Sequence, residues 1–155
     1  MKKIKFVDLK AQYKKYKREI DISIKACVEK SDFISGDSVR EFEKKFKNKL
    51  NSKYCLTTNN GTDSLFIAMK ALNIQKGQEV ITSAHSWISS SSQITQAGGI
   101  PVFCDTEPGT FNIDVKKLKM KINNKTAGII AVHLYGQPCD ILDIVTIAKK
   151  KKFGL

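Results

Sequence analysis

The stretches "EVIT" (79–82), "IPVFCD" (100–105) and "AGIIAVHLY" (127–135) are short runs with consecutive apolar residues at their centres. A segment of helical spacing separates each run from the next. A strand that is apolar on both faces must be covered on both faces, and strands joined through helices run parallel. Lys53 to Thr58 reads as one more short strand, giving a sheet of about four strands with an exposed apolar edge. The intervening helices show buried stripes at three-and-four spacing: Leu65, Ala68, Met69 and Leu72, then Val115, Leu118 and Ile122, then Ile141, Ile144, Val145 and Ala148. Gly77, Gly98-Gly99 and Gly136-Gln137-Pro138 punctuate the units, and Gly154 is expected to cap the last helix. The fold class is α/β, a mostly parallel sheet with flanking helices. The rhythm stops after a helix, where another strand is due, which is expected of a fragment.

A helical segment precedes this sheet. Tyr13, Ile20, Ile24, Cys27 and Val28 share one face of a first helix. After a break at 31–36, Ser38 and Glu41 form a capping-box pattern for a second helix with Val39, Phe42, Phe46 and Leu50 as its stripe. The expected organisation is a helical segment over 1–52 and a partial sheet domain over 53–155.

Composition excludes several classes. A chain of 155 residues that is 41% hydrophobic and 27% charged is sized for about one globular domain. No apolar run approaches the roughly 18 residues of a membrane span, and the basic N-terminus has no signal-peptide core. Cys27, Cys55, Cys104 and Cys139 make no CxxC pair, which points to reduced thiols and a cytoplasmic setting. The net charge of +12 suggests nucleic acid at first, yet all but Arg18 and Arg40 of the 27 basic residues are lysine. Arginine is the residue that forks onto phosphates and bases, and the lysines are spread along the helices. A solvated lysine surface accounts for the charge, and no nucleic-acid partner is expected, although a non-catalytic basic binding module is the alternative from another class.

Ligands of parallel sheets sit at the carboxyl ends of the strands, so the segments to inspect are 57–63, 83–87, Asp105 and 133–137. In "TTNNGTDS", Asn60-Gly61-Thr62 places a glycine and several amides at a helix N-terminus, where an anion is favoured. The same residues also make an ordinary turn and N-cap, and Asp63 brings its own negative charge, pairing with Asn60 in a capping-box pattern. Trp87, past the end of a strand and off any helical stripe, is either a stacking surface for a planar ligand or a core or interface residue. His85 reads as a polar loop residue. His133 and Tyr135, two apart at the end of the 127–135 strand, either face one cleft or leave His133 as a histidine satisfied by backbone at a strand end. His85, Cys104, His133 and Cys139 lack ligand spacing, and no metal is expected.

Taken in order, "FVDLKAQY", "FISGDSVREFEKKF", "NNGTDSLFIAMKAL", "GQEVITSAHSWISSSSQI", "GGIPVFCDTEPGTFNID" and "VHLYGQPCDI" resemble the N-terminal part of the DegT/DnrJ/EryC1/StrS family of pyridoxal-phosphate-dependent aminotransferases. The resemblance runs from about Phe6 to the last residue. It implies the large domain of a fold-type I transferase, a homodimer, and amino transfer from a donor, glutamate, to a nucleotide-linked keto sugar in surface polysaccharide or glycan synthesis. It maps the cofactor phosphate onto Gly61, Thr62 and Asp63, and an aromatic over the pyridine ring onto Trp87. The pyridine-nitrogen aspartate and the Schiff-base lysine of the family would lie beyond Leu155. No catalytic residue is therefore assigned, and the 155 residues alone are expected to turn over no substrate. A dehydratase of the same family, with histidine in place of that lysine, is the alternative within it.

Overall fold

The computed structural model describes residues 4–152; the expected cap at Gly154 lies outside them. The chain forms two compact units that part between Thr57 and Thr58.

The first unit holds α1 (Leu9–Lys30) and α2 (Asp37–Lys49). Asp8 caps α1 by accepting from the amide of Ala11 at 2.9 Å. Ser31, in the left-handed region, closes it. The entry to α2 differs from the expected capping box. Its N-cap is Gly36, and the amide of Asp37 is held by the Asp32 carboxylate at 2.7 Å, while Glu41 pairs outward with Lys45. A side chain at position 36 would push that carboxylate aside and cost its bond to the Asp37 amide. The expected buried stripes are not buried: Ile24, Val28, Phe42, Phe46 and Leu50 are all exposed, with Phe42 and Phe46 stacked on each other at 5.4 Å. Two helices are too few to enclose each other's apolar faces.

The second unit carries the sheet. Its order is α3 (Gly61–Ala71), β1 (Glu79–Ser83), α4 (Ser89–Ala97), β2 (Ile100–Cys104), α5 (Val115–Lys121), β3 (Thr126–Ile130), a short 3₁₀ turn (Leu134–Gly136) and α6 (Ile141–Lys151). The strands are parallel in the order β2-β1-β3, with Ile81 opposite Val102 on one side and Ile129 on the other. Alternate residues of β1 feed two cores. Val80 joins Met69, Ile74, Ile94, Ala97 and Ile130 beneath α3 and α4. Ile81 joins Cys104, Leu118, Ile129 and Ile144 beneath α5 and α6. A fully buried valine, leucine or isoleucine among them contributes about 1.5–3 kcal/mol before side-chain entropy is set against it.

Two sequence expectations change here. Residues 53–58 form no strand, because an extended segment becomes one only by pairing and the three strands pair with one another. Among the described residues the sheet therefore has three strands rather than about four. The apolar run 127–135 is strand only to Ile130, which lies opposite Thr82, next to the last residue of β1. Beyond that pair only Ser83 of β1 remains, and the chain turns away.

Candidate functional site

From β1 the chain crosses through α4 to β2 on one side, then returns through α5 to β3 on the other. The connections leave β1 and β3 in opposite directions, so a crevice opens at their carboxyl ends. This is where open α/β sheets bind ligands. Four segments meet at that edge: the start of α3, the turn after β1, the loop after β2 and the loop after β3.

The start of α3 is built by Asn60. Its Oδ1 accepts from the amide of Asp63 at 2.9 Å, and its Nδ2 donates to the Asp63 carboxylate at 3.2 Å. Its carbonyl takes the amide of Ser64. Thr58 joins from before the turn, its hydroxyl 2.6 Å from that of Ser64. The capping pair of Asn60 and Asp63 is as the spacing suggests, and it occupies the Asp63 amide. Among the described residues nothing accepts from the amides of Gly61 and Thr62. Gly61 is not forced by its surroundings: its φ is not positive and a Cβ there would meet nothing within 4 Å. The missing side chain leaves the two amides uncovered at the positive end of the helix dipole.

The turn after β1 brings a second helix N-terminus alongside. The hydroxyl of Thr62 lies 2.8 Å from that of Ser89, the first residue of α4. This contact joins residues 27 positions apart and has no local sequence signal. Trp87 sits immediately ahead of α4, its carbonyl accepting from Ser90, and is 77% exposed. Exposure to that degree removes the core reading of this indole within the unit.

The loop after β3 separates the two residues expected to share a cleft. His133 accepts through Nδ1 from the amide of Cys139 at 3.0 Å. Tyr135 instead turns its hydroxyl to Nε2 of His85, 3.2 Å away. His85 is thus more than a loop residue, because it links the ends of β1 and β3. Phe111, from the loop after β2, stands 6.0 Å from His85 and 6.4 Å from Tyr135 between ring centres. Sequence reading passed over Phe111 and its neighbour Asn112, since "EPGTFNID" shows only a turn-rich loop; their role depends on a segment about two dozen residues further on.

The fold is that of a doubly wound α/β domain with two open helix-N-terminal amides and exposed rings at its strand ends. A family model for the DegT/DnrJ/EryC1/StrS aminotransferases matches residues 14–155, and the chain belongs to that family. Members of the family depend on pyridoxal phosphate. The dTDP-3-amino-3,6-dideoxy-alpha-D-galactopyranose transaminase of Aneurinibacillus thermoaerophilus is 38% identical over 147 residues, which are 95% of this chain and 40% of that one. The crystal structure of DesV from S. venezuelae superposes with a TM-score of 0.94 at 27% identity, over 99% of this chain and 41% of that one. The E. coli GDP-4-keto-6-deoxy-D-mannose-3-dehydratase with bound hydrated PLP is also similar, with a TM-score of 0.78 at 27% identity over 84% of this chain and 35% of that one. The chain thus spans about 40% of the length of the first curated relatives it matches.

Proposed function

We propose that this protein works as a pyridoxal-phosphate-dependent aminotransferase that moves an amino group, with glutamate as donor, onto a nucleotide-linked keto sugar for surface polysaccharide or glycan synthesis. The observation that carries the reading is the meeting of the α3 and α4 N-termini at Thr62 and Ser89, with the Gly61 and Thr62 amides open beside them. Two helix dipoles and a hydroxyl suit a phosphate group. In this reading Gly61 and Thr62 hold the cofactor phosphate by their amides, and the Thr62 hydroxyl adds a donor. Asp63 acts through Asn60, keeping the turn in the shape that aims those amides. The indole of Trp87 covers one face of the flat pyridine ring and keeps water from it. The cofactor itself supplies an electron sink for the carbon that gains or loses nitrogen. Amino transfer is favoured over dehydration because curated relatives of similar sequence include transaminases. The family's homodimeric assembly and a cytoplasmic setting belong to the same proposal; the four cysteines are free thiols, as a reducing compartment requires.

The test uses the single tryptophan as reporter. Adding pyridoxal phosphate to the purified chain is expected to quench Trp87 fluorescence saturably, and inorganic phosphate is expected to compete. Gly61→Val should weaken that binding about tenfold or more while changing the unfolding free energy from urea titration by no more than about 0.5 kcal/mol, since the site is sterically open. Quenching that does not saturate, or a G61V chain that binds as the parent does, would remove the reading.

A further inference from the structure

Outside the cradle, one cluster at the strand ends stands apart from the rest of the surface. His85, Phe111 and Tyr135 come from three different loops, those after β1, β2 and β3. Their rings are tilted against one another by 56° (His85 and Phe111), 60° (His85 and Tyr135) and 84° (Phe111 and Tyr135). Large apolar side chains brought together in a fold are ordinarily driven under cover, yet Phe111 is 50% and Tyr135 79% exposed.

The backbone beneath them is held in a rarely adopted conformation. Seven described non-glycine residues have φ in the left-handed region. Five are serine, asparagine or lysine at helix ends and turns, where that region is common. The other two are Phe111 (φ 60°) and Tyr135 (φ 55°), and bulky aromatics seldom go there. Strain of this kind persists only where the surroundings impose it, and it gathers at sites that bind.

The residue that imposes it here is Asn112, buried and adjacent to Phe111. Its Nδ2 donates to the carbonyls of Gln137 and Pro138, each at 3.0 Å, and its Oδ1 accepts from the amide of Leu134 at 3.2 Å. One side chain therefore clamps the loop that carries Tyr135 from both sides. The Phe111 loop is closed in turn by Glu107, whose amide donates to the Asn112 carbonyl and whose own carbonyl takes the Phe111 amide.

We propose that His85, Phe111 and Tyr135 form a subsite for the pyranose ring of the substrate, held in place by Asn112 as a positioning residue. The proposal rests on the sugar-nucleotide reading above and deepens it. A pyranose has an apolar C–H face and a rim of hydroxyls, and the cluster offers ring faces together with one phenol and one imidazole nitrogen. No carboxylate or cation belongs to it, which suits a neutral group. Three mutually tilted rings present no pair of parallel faces of the kind that sandwich a flat nucleobase. The His85–Tyr135 link also spans the ends of β1 and β3, the switch point of the sheet.

Saturation-transfer NMR on the purified chain decides the matter, with UDP-N-acetylglucosamine as the probe and UDP as its control. Saturation is expected to reach the pyranose protons more strongly than the uracil protons. Tyr135→Ala and His85→Ala, both at exposed positions, should each lower the pyranose signal threefold or more. Asn112→Ala should lower it similarly and add nothing further when combined with Y135A, a coupling that general loss of stability would not produce. Should N112A unfold, Y135A and H85A settle the question alone. Pyranose protons at background in the parent chain, transfer confined to uracil, or H85A and Y135A equal to the parent would each overturn the proposal. Pyridoxal-phosphate quenching measured on the same variants separates the two readings. Quenching retained with no pyranose transfer sinks the subsite and spares the cradle; loss of quenching in the parent chain sinks the cradle.

Discussion

Cys104 and Cys139 lie in the core between the sheet and α5 and α6, while Cys27 and Cys55 are half-buried elsewhere. Burial pushes the Cys104 thiol up, and the carboxylates of Asp114 and Asp105 push it further. Burial does the same to Cys139, whose Sγ donates to the carbonyl of Val132 at 2.9 Å. The thiolate is the reacting form, so both stay protonated and shielded at neutral pH. A disulfide reagent is expected to label Cys27 and Cys55 first and to reach Cys104 and Cys139 only in denaturant, as read by peptide mass after timed quenching. Equal labelling of all four in the native chain would contradict this placement. At the same scale Gly61 and Gly36 show that two glycines can be present for opposite reasons. A side chain at Gly36 would displace the Asp32 carboxylate beside it, whereas one at Gly61 would meet nothing in the fold.

Among the elements, the segment 51–58 has no ladder of its own and is tied to α2 by a side chain. One carboxylate oxygen of Glu43 accepts from the amide of Thr57 at 2.8 Å and from its hydroxyl at 2.9 Å. The amide bond, then the hydroxyl bond, holds the Glu43 carboxyl below its ordinary value of 4.5. The folded form thus favours the carboxylate, and the stability it contributes is fully present above pH 4.5 and is lost as pH falls through the lower folded value. The Thr57 amide resonance is expected to titrate with a midpoint below 4.5, and Glu43→Gln should abolish that titration. A midpoint at or above that value would show that the link does not hold in solution. The group is exposed, so little change in overall stability accompanies the titration.

Over the whole molecule, protection is unevenly distributed. The first unit fully buries no helical residue, while Val80, Ile81 and Thr82 of β1 are completely enclosed and paired on both sides. Local opening follows contact density, so hydrogen exchange by mass spectrometry should find β1 slowest and α1 and α2 faster by several orders of magnitude. Protection of α1 equal to that of β1 would show that this picture of the first unit is incomplete. The limits of sequence reading follow a related line. The helices, the pairing of Asn60 with Asp63, and the strand-helix alternation that made the sheet parallel were legible because each depends on neighbours within a few residues. The run 53–58 looked like a strand by the same local signs, yet whether extended chain becomes strand is decided by a partner that composition does not reveal. The turn at Gly61 and Thr62 could be read from sequence as an anion site or as a simple cap. Only the fold set Ser89 beside it, linked Tyr135 to His85, and turned Asn112 into a clamp. The sequence by itself determined which segments can be helix or apolar strand, through local propensity and period. Tertiary structure decided which side chains meet at the strand ends, because those meetings join residues 22 to 50 positions apart and are fixed by the order of the strands rather than by any local pattern.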